Sequence, residues 1–129
     1  MRRAESRENE AMSVKVELEK LLEVVAGFET VPLLLTTDDD QRPRAAAVAV
    51  AWDGDVATIR AGHRSLANAG KRELVSLLWA APPGERFALL VDGTVEGLTP
   101  DPAEQGPKAG GYITMRATRA ILHVVGRPH

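Results

Sequence analysis

The chain contains no cysteine, which excludes a disulfide framework, a thiolate nucleophile and a cysteine-ligated metal site, and fits a reducing compartment. Aromatic residues are scarce. The five present, Phe28, Trp52, Trp79, Phe87 and Tyr112, are too few for a ring-built core or a base-stacking platform, so an aliphatic core of Ala, Val and Leu is expected. No apolar run approaches the length of a membrane span, and the charged stretch Met1 to Asn9 lacks the apolar segment of a secretory leader. A soluble, cytoplasmic protein with no membrane partner is the expectation. Charge of one sign is lacking too: 16 Lys and Arg stand against 18 Asp and Glu, for a formal net charge of -2, which argues against a nucleic-acid partner.

The chemistry of a self-contained active site is also missing. Histidines occur only at 63, 123 and 129, which is no obvious zinc or haem ligand set. His123, in the apolar run Leu122-His123-Val124, reads as a hydrogen-bonded core or interface residue. Asp38-Asp39-Asp40 lacks the spaced ligands and glycine of a calcium loop and reads as turn chemistry. No metal site is expected, and no catalytic residue is assigned.

One absence is local. From Thr58 to Arg72 there is no acidic residue, yet the segment holds Arg60, Arg64, Lys71 and Arg72 with His63, Ser65 and Asn68. The segment reads as a strand that stops at Gly62 and enters a short helix. Unpaired backbone N–H groups and the positive end of a helix dipole favour an anion at such a junction. A phosphorylated ligand is the expectation.

The 129 residues suit one domain, here 13–129, after a flexible N-terminus at 1–12. Val14, Leu18, Leu21, Leu22 and Val25 fall on one face of a helix, with Ser13 as its N-cap and Gly27 as its stop. Strands follow at Leu33–Thr37 and Ala45–Trp52, then a hairpin at Asp53-Gly54 leads into a third strand from Val56. After the short helix come strands at Leu74–Ala80 and Phe87–Val95, the second bent by a glycine bulge at Asp92-Gly93. A glycine- and proline-rich surface loop over 97–111 precedes a long last strand from Tyr112. Antiparallel hairpins with one helix across them point to a small barrel, which removes exposed strand edges.

In their order these pieces resemble the FMN-binding split β-barrels related to pyridoxamine 5′-phosphate oxidase. The matching pieces are a helix, a strand ending in Thr36-Thr37-Asp38, the turn Gln41-Arg42-Pro43, the Trp52-Asp53-Gly54-Asp55 hairpin, the basic crossing Ala61 to Asn68, a strand through Trp79, and Val91 to Glu96. The resemblance implies a mainly β fold, a six-stranded antiparallel split β-barrel with an N-terminal helix and a short helix after strand three. It implies an FMN cofactor, with a deazaflavin fitting the same fold, and a homodimer whose cofactor groove is shared. Arg64 and Asn68 match the arginine and asparagine of the family's phosphate grip; His63 stands at its serine, Ser65 at its lysine, and Gln41 at a turn glycine. Together with Arg60, the residues His63, Arg64, Ser65 and Asn68 are the candidate cofactor-binding set. Arg116 or Arg119 could add charge across a dimer interface, or serve only solubility.

Ala45, Ala46, Ala47, Ala49 and Ala51 either admit a planar ring or pack under the helix, and Trp52 and Trp79 either edge a ring pocket or belong to the core or dimer interface. The function implied is an oxidoreductase acting on a small molecule, although nothing after Val125 corresponds to the oxidase's substrate segment. The competing expectation is a non-catalytic binding or stress-response barrel that holds flavin weakly or not at all, or holds another cofactor such as haem.

Overall fold

The computed structural model describes residues 13–126, so the flexible N-terminus expected at 1–12 lies outside the described residues. The strands are β1 (Ser13–Val16), β2 (Leu33–Thr37), β3 (Pro43–Ala47), β4 (Ala49–Asp53), β5 (Val56–Ala61), β6 (Leu74–Trp79), β7 (Phe87–Pro100) and β8 (Gly111–Val124). Helix α1 (Leu21–Ala26) follows a 3-10 turn, Leu18–Lys20, and α2 (His63–Lys71) follows β5. All pairings are antiparallel, in the order β3-β2-β6-β7-β8-β5-β4, with β1 added to the far half of β8. The described residues therefore hold eight strands where six were expected.

Each extra strand has an identifiable cause. The N-terminal helix was expected to begin at Ser13, but Ser13–Val16 pairs with Ala120–His123, where the alternating Val14 and Val16 suit a strand better than a helix. Val16 is buried, whereas Val14 and Leu22, both assigned to the apolar helix face, are 43% and 44% exposed. Ser13 is accordingly no helix cap; its hydroxyl lies 3.1 Å from Nδ1 of His123, which is hydrogen-bonded but exposed. Gly27 does end the helix. The second strand is broken at Val48, whose N–H bonds to the carbonyl of Pro32 at 3.1 Å while its side chain is buried. The chain thereby leaves β2 and joins β5, so the two ends of the sheet are consecutive in sequence and the sheet curls into a split barrel.

Several expectations hold. Gly54, at φ 62, occupies the first loop position of the β4–β5 hairpin, where a primed two-residue turn needs glycine. The bulge at Asp92/Gly93 is present, and a second irregularity at Val95/Gly97 lets β7 continue to Pro100. The loop expected over 97–111 is thus shortened to 101–110, because β8 supplies partners for Leu98 and Thr99. The largest fully buried side chains are Leu, Ile, Val or Met without exception, so the core is aliphatic as composition required. Each such side chain contributes roughly 1.5–3 kcal/mol on burial. Trp79, 3% exposed, joins that core.

Candidate functional site

Gly62 lets the chain leave β5: extended at φ -78 and ψ 174, it sets the start of α2 without a side-chain cap. The N–H groups of His63, Arg64 and Ser65 therefore have no intrahelical acceptor, and the first bond of the helix runs from the N–H of Leu66 to the carbonyl of Gly62 at 3.0 Å. No acidic residue lies in the first turn. Ser65 and Ala69 face inward, while Arg64 on the same turn is exposed.

Two clefts flank this junction. The first, about 560 Å³, brings together His63, Arg64, Ser65 and Asn68 with Arg44 and the Asp38–Asp40 loop. The second, about 710 Å³, is an apolar groove walled by Val31, Val48, Val50, Trp52 and Trp79, with Arg60 at its edge. They adjoin along the chain, because Ala46 and His63 line the first and their neighbours Ala47 and Gly62 line the second. Four of the five predicted site residues share one cleft, and Arg60 is separated from them.

The cations of the acid-free segment meet acids through tertiary contacts. Arg60 lies 3.3 Å from Asp101, donates a close hydrogen bond to Glu104, and stacks over Tyr112 at 5.7 Å. Lys71 and Arg72 both bind Asp39, at 2.9 and 3.1 Å. Their hydrogen bonds, that of Lys71 first, hold the Asp39 carboxyl below its ordinary value. Arg44 pairs with Asp38 at 2.6 Å and Arg42 with Asp40 at 3.5 Å. Hydrogen bonding between the Asp38 and Asp40 carboxyls lowers the former's pKa and raises the latter's. Among the described residues, Arg64 makes no ion pair. Arg116, a candidate for charge donated across a dimer, is held by Glu96 at 2.7 Å and Asp55 at 3.0 Å. Arg119 lies 3.8 Å from Asp92.

The aspartates behave as turn formers: Oδ1 of Asp38 accepts from the N–H groups of Asp40 and Arg42, each at 3.2 Å. Gln41 in that turn has φ 67, the single non-glycine residue with positive φ among those described. The position at which the resemblance implied glycine is thus a left-handed one. Among the described residues no cluster of three His, Cys, Asp or Glu side chains could hold a metal ion. No helix there is long and apolar enough to cross a membrane.

Asn68 is partly committed, since its Nδ2 donates to the hydroxyl of the buried Thr36 at 3.1 Å. In the groove the Trp52 and Trp79 rings stack, 6.3 Å apart and inclined by 28°. The indole Nε1 of Trp52 is the one buried side-chain polar atom without a hydrogen-bond partner among the described residues. The sequence pattern passed over Asp101, Glu104 and Arg44; the first two sit in a glycine- and proline-rich loop about forty residues from Arg60, and only strand pairing brings them there.

No protein-family model matches the chain, and no curated protein does. Solved structures do. An F420 reductase is 22% identical, with 76% of this chain and 94% of that one covered, at a TM-score of 0.63. An FMN-binding protein from Syntrophomonas wolfei subsp. wolfei is 10% identical, with 85% and 88% covered, at a TM-score of 0.64. A protein from Clostridium acetobutylicum, related to general stress protein 26 of B. subtilis and of the pyridoxinephosphate oxidase family, is 14% identical, with 84% and 91% covered, at 0.63. At such identities the likeness is one of fold: the chain has the split β-barrel architecture shared by pyridoxamine 5′-phosphate oxidase-like and flavin-binding proteins.

Proposed function

We propose that the chain binds a flavin, FMN in the first instance, with its phosphate in the polar cleft and its ring toward the apolar groove. One observation carries this reading: Arg64, the cation of the basic segment without an internal acid partner among the described residues, lines a polar cleft at an uncapped helix N-terminus, and the residues just before that helix line an apolar groove. Arg64 supplies the fixed charge. His63, Ser65 and the backbone N–H groups of the first turn supply hydrogen bonds, and Asn68 is steadied by Thr36. The groove gives the ring a wall of small and apolar side chains, with one buried indole N–H still lacking an acceptor. These features fit a molecule with an anionic end and a planar end. A deazaflavin with a phosphorylated side chain meets the same two requirements.

A bound flavin supplies hydride and electron transfer through its own ring; the chain's part is to hold the phosphate, orient the ring and exclude water. The activity proposed is that of an oxidoreductase acting on a small molecule as a homodimer. Support for the dimer lies in β3 and β4, whose outer edges are unpaired among the described residues and carry the exposed Ala45, Ala47, Ala49 and Ala51. A monomer by light scattering would remove that part of the reading.

The deciding experiment is titration of purified protein with FMN, followed by flavin fluorescence quenching. Saturation in the low micromolar range supports the reading, and no binding at about 10 µM, a level that corresponds to roughly -7 kcal/mol, rejects it. The second reading, a barrel without catalysis, draws on Ser65, which leaves the clasp one fixed cation short of the pattern it resembles. It requires that bound FMN fail to be reduced by nicotinamide or deazaflavin donors.

A further inference from the structure

Among the described residues, Arg60 is the one ionisable residue lining the apolar groove, and its charge is already engaged. Its Nη2 contacts both Asp101 and Glu104, and its Nη1 donates to the carbonyl of Ala61 at 2.6 Å. The other oxygen of the Glu104 carboxylate accepts from the N–H of Gly110 at 2.8 Å. The loop closes on itself through the N–H of Asp101 and the carbonyl of Gly110, at 3.1 Å. Gly110 packs so tightly that a Cβ there would strike Arg60 and come within 2.7 Å of the Ala61 carbonyl. Arg60, which lines the groove, thus belongs to a built cluster of one guanidinium and two carboxylates, net one negative, whose carboxylates reach the groove's edge only through Arg60.

Among the described residues, no other side chain of the groove wall carries a charge to offset that excess. Thr30, its hydroxyl-bearing residue, donates to the carbonyl of Ala80 at 3.0 Å, and the rest of the wall is aliphatic, backbone or the stacked tryptophans. The side chains of Arg60, Asp101 and Glu104 are 32%, 15% and 42% exposed, so water screens the cluster only in part. Any charged ligand loses hydration on entering an apolar groove, and an anion is repelled as well.

We propose that the groove selects an uncharged, flat, apolar ligand to lie beside the cofactor ring, and that Asp101 and Glu104 are the specificity-determining residues that exclude anions. The proposal rests on the flavin reading for the neighbouring ring and on the groove alone for its charge preference.

Two fluorescent probes of one skeleton test it on the full chain without cofactor: uncharged N-phenyl-1-naphthylamine, and 8-anilinonaphthalene-1-sulfonate, which adds a sulfonate. The chain has two tryptophans and both line the groove, so quenching of tryptophan emission reports occupancy there. The unmodified protein should bind the uncharged probe at least tenfold more tightly. The Asp101→Asn, Glu104→Gln double variant should gain about tenfold for the sulfonate and change less than twofold for the uncharged probe. Should that variant fail to fold, Glu104→Gln alone leaves Asp101 on Arg60 and should gain about threefold for the sulfonate. Equal affinities in the unmodified protein, or a sulfonate affinity that no folded variant moves, would overturn the proposal. FMN titration of the same samples separates the two ideas: FMN binding without charge preference defeats the selectivity alone, and charge preference without FMN binding defeats the flavin reading alone.

Discussion

Arg60 and Arg64 lie four residues apart on either side of Gly62, and the fold treats them in opposite ways. Arg60 lies next to the end of β5, opposite Tyr112 in β8, and the loop that feeds β8 delivers Asp101 and Glu104 onto its guanidinium. Arg64 lies in the first turn of α2 across from the Asp38–Asp40 loop, whose carboxylates are taken up by Arg42, Arg44, Lys71 and Arg72. A cation's availability to a ligand is therefore decided by which loops strand register brings to it. Its neighbours in sequence said nothing of this.

The largest expected effect comes from forcing open the Arg60 side. Gly110→Ala places a Cβ against Arg60 and the Ala61 carbonyl, and should destabilise the fold by about 2–3 kcal/mol in urea unfolding. A loss under about 0.5 kcal/mol, the scale of ordinary surface substitutions, would mean that the loop yields and the cage around Arg60 is loose. Next in size is the direct contrast between the two arginines. Arg64→Ala should weaken FMN binding at least tenfold, about 1.4 kcal/mol, whereas Arg60→Ala should change it less than threefold. Equal losses would show that both cations hold the phosphate.

On the Arg64 side, Gln41→Gly should stabilise the chain by about 1 kcal/mol, because glycine removes the left-handed strain at φ 67. No gain in thermal midpoint would mean that contacts of the glutamine offset that strain. The smallest effect concerns Asp39. Lys71 and Arg72 lower its pKa in the folded chain, so its contribution is fully present above the ordinary carboxylate range and is lost as pH falls below about 4. Asp39→Asn should flatten the acid side of a stability profile, and an unchanged slope would show that this pairing adds nothing.

Much of the fold was legible locally. The Asp53-Gly54 hairpin, the stop at Gly27, the bulge at Asp92-Gly93 and the aliphatic core each rest on residue properties that need no distant partner. The errors fell where a distant strand made the decision. Ser13–Val16 carried helical spacing but became an edge strand because β8 extends far enough to pair with it, and Leu98–Pro100 carried loop composition but pairs with the start of β8. The same holds at the site. His63, Arg64, Ser65 and Asn68 share a cleft because one short helix presents them together, while Arg60 parted from them because a strand's partners depend on register.

By itself the sequence determined an all-antiparallel aliphatic barrel type, its turns, and a basic strand-to-helix crossing, since composition, periodicity and turn chemistry act over a few residues. Tertiary structure alone decided which of that crossing's charges remain free. Long-range pairing brings Asp39, Asp101 and Glu104 to three of the four cations and leaves Arg64, among the described residues, unpaired at the helix start. The acid-free stretch is free of acid only along the chain.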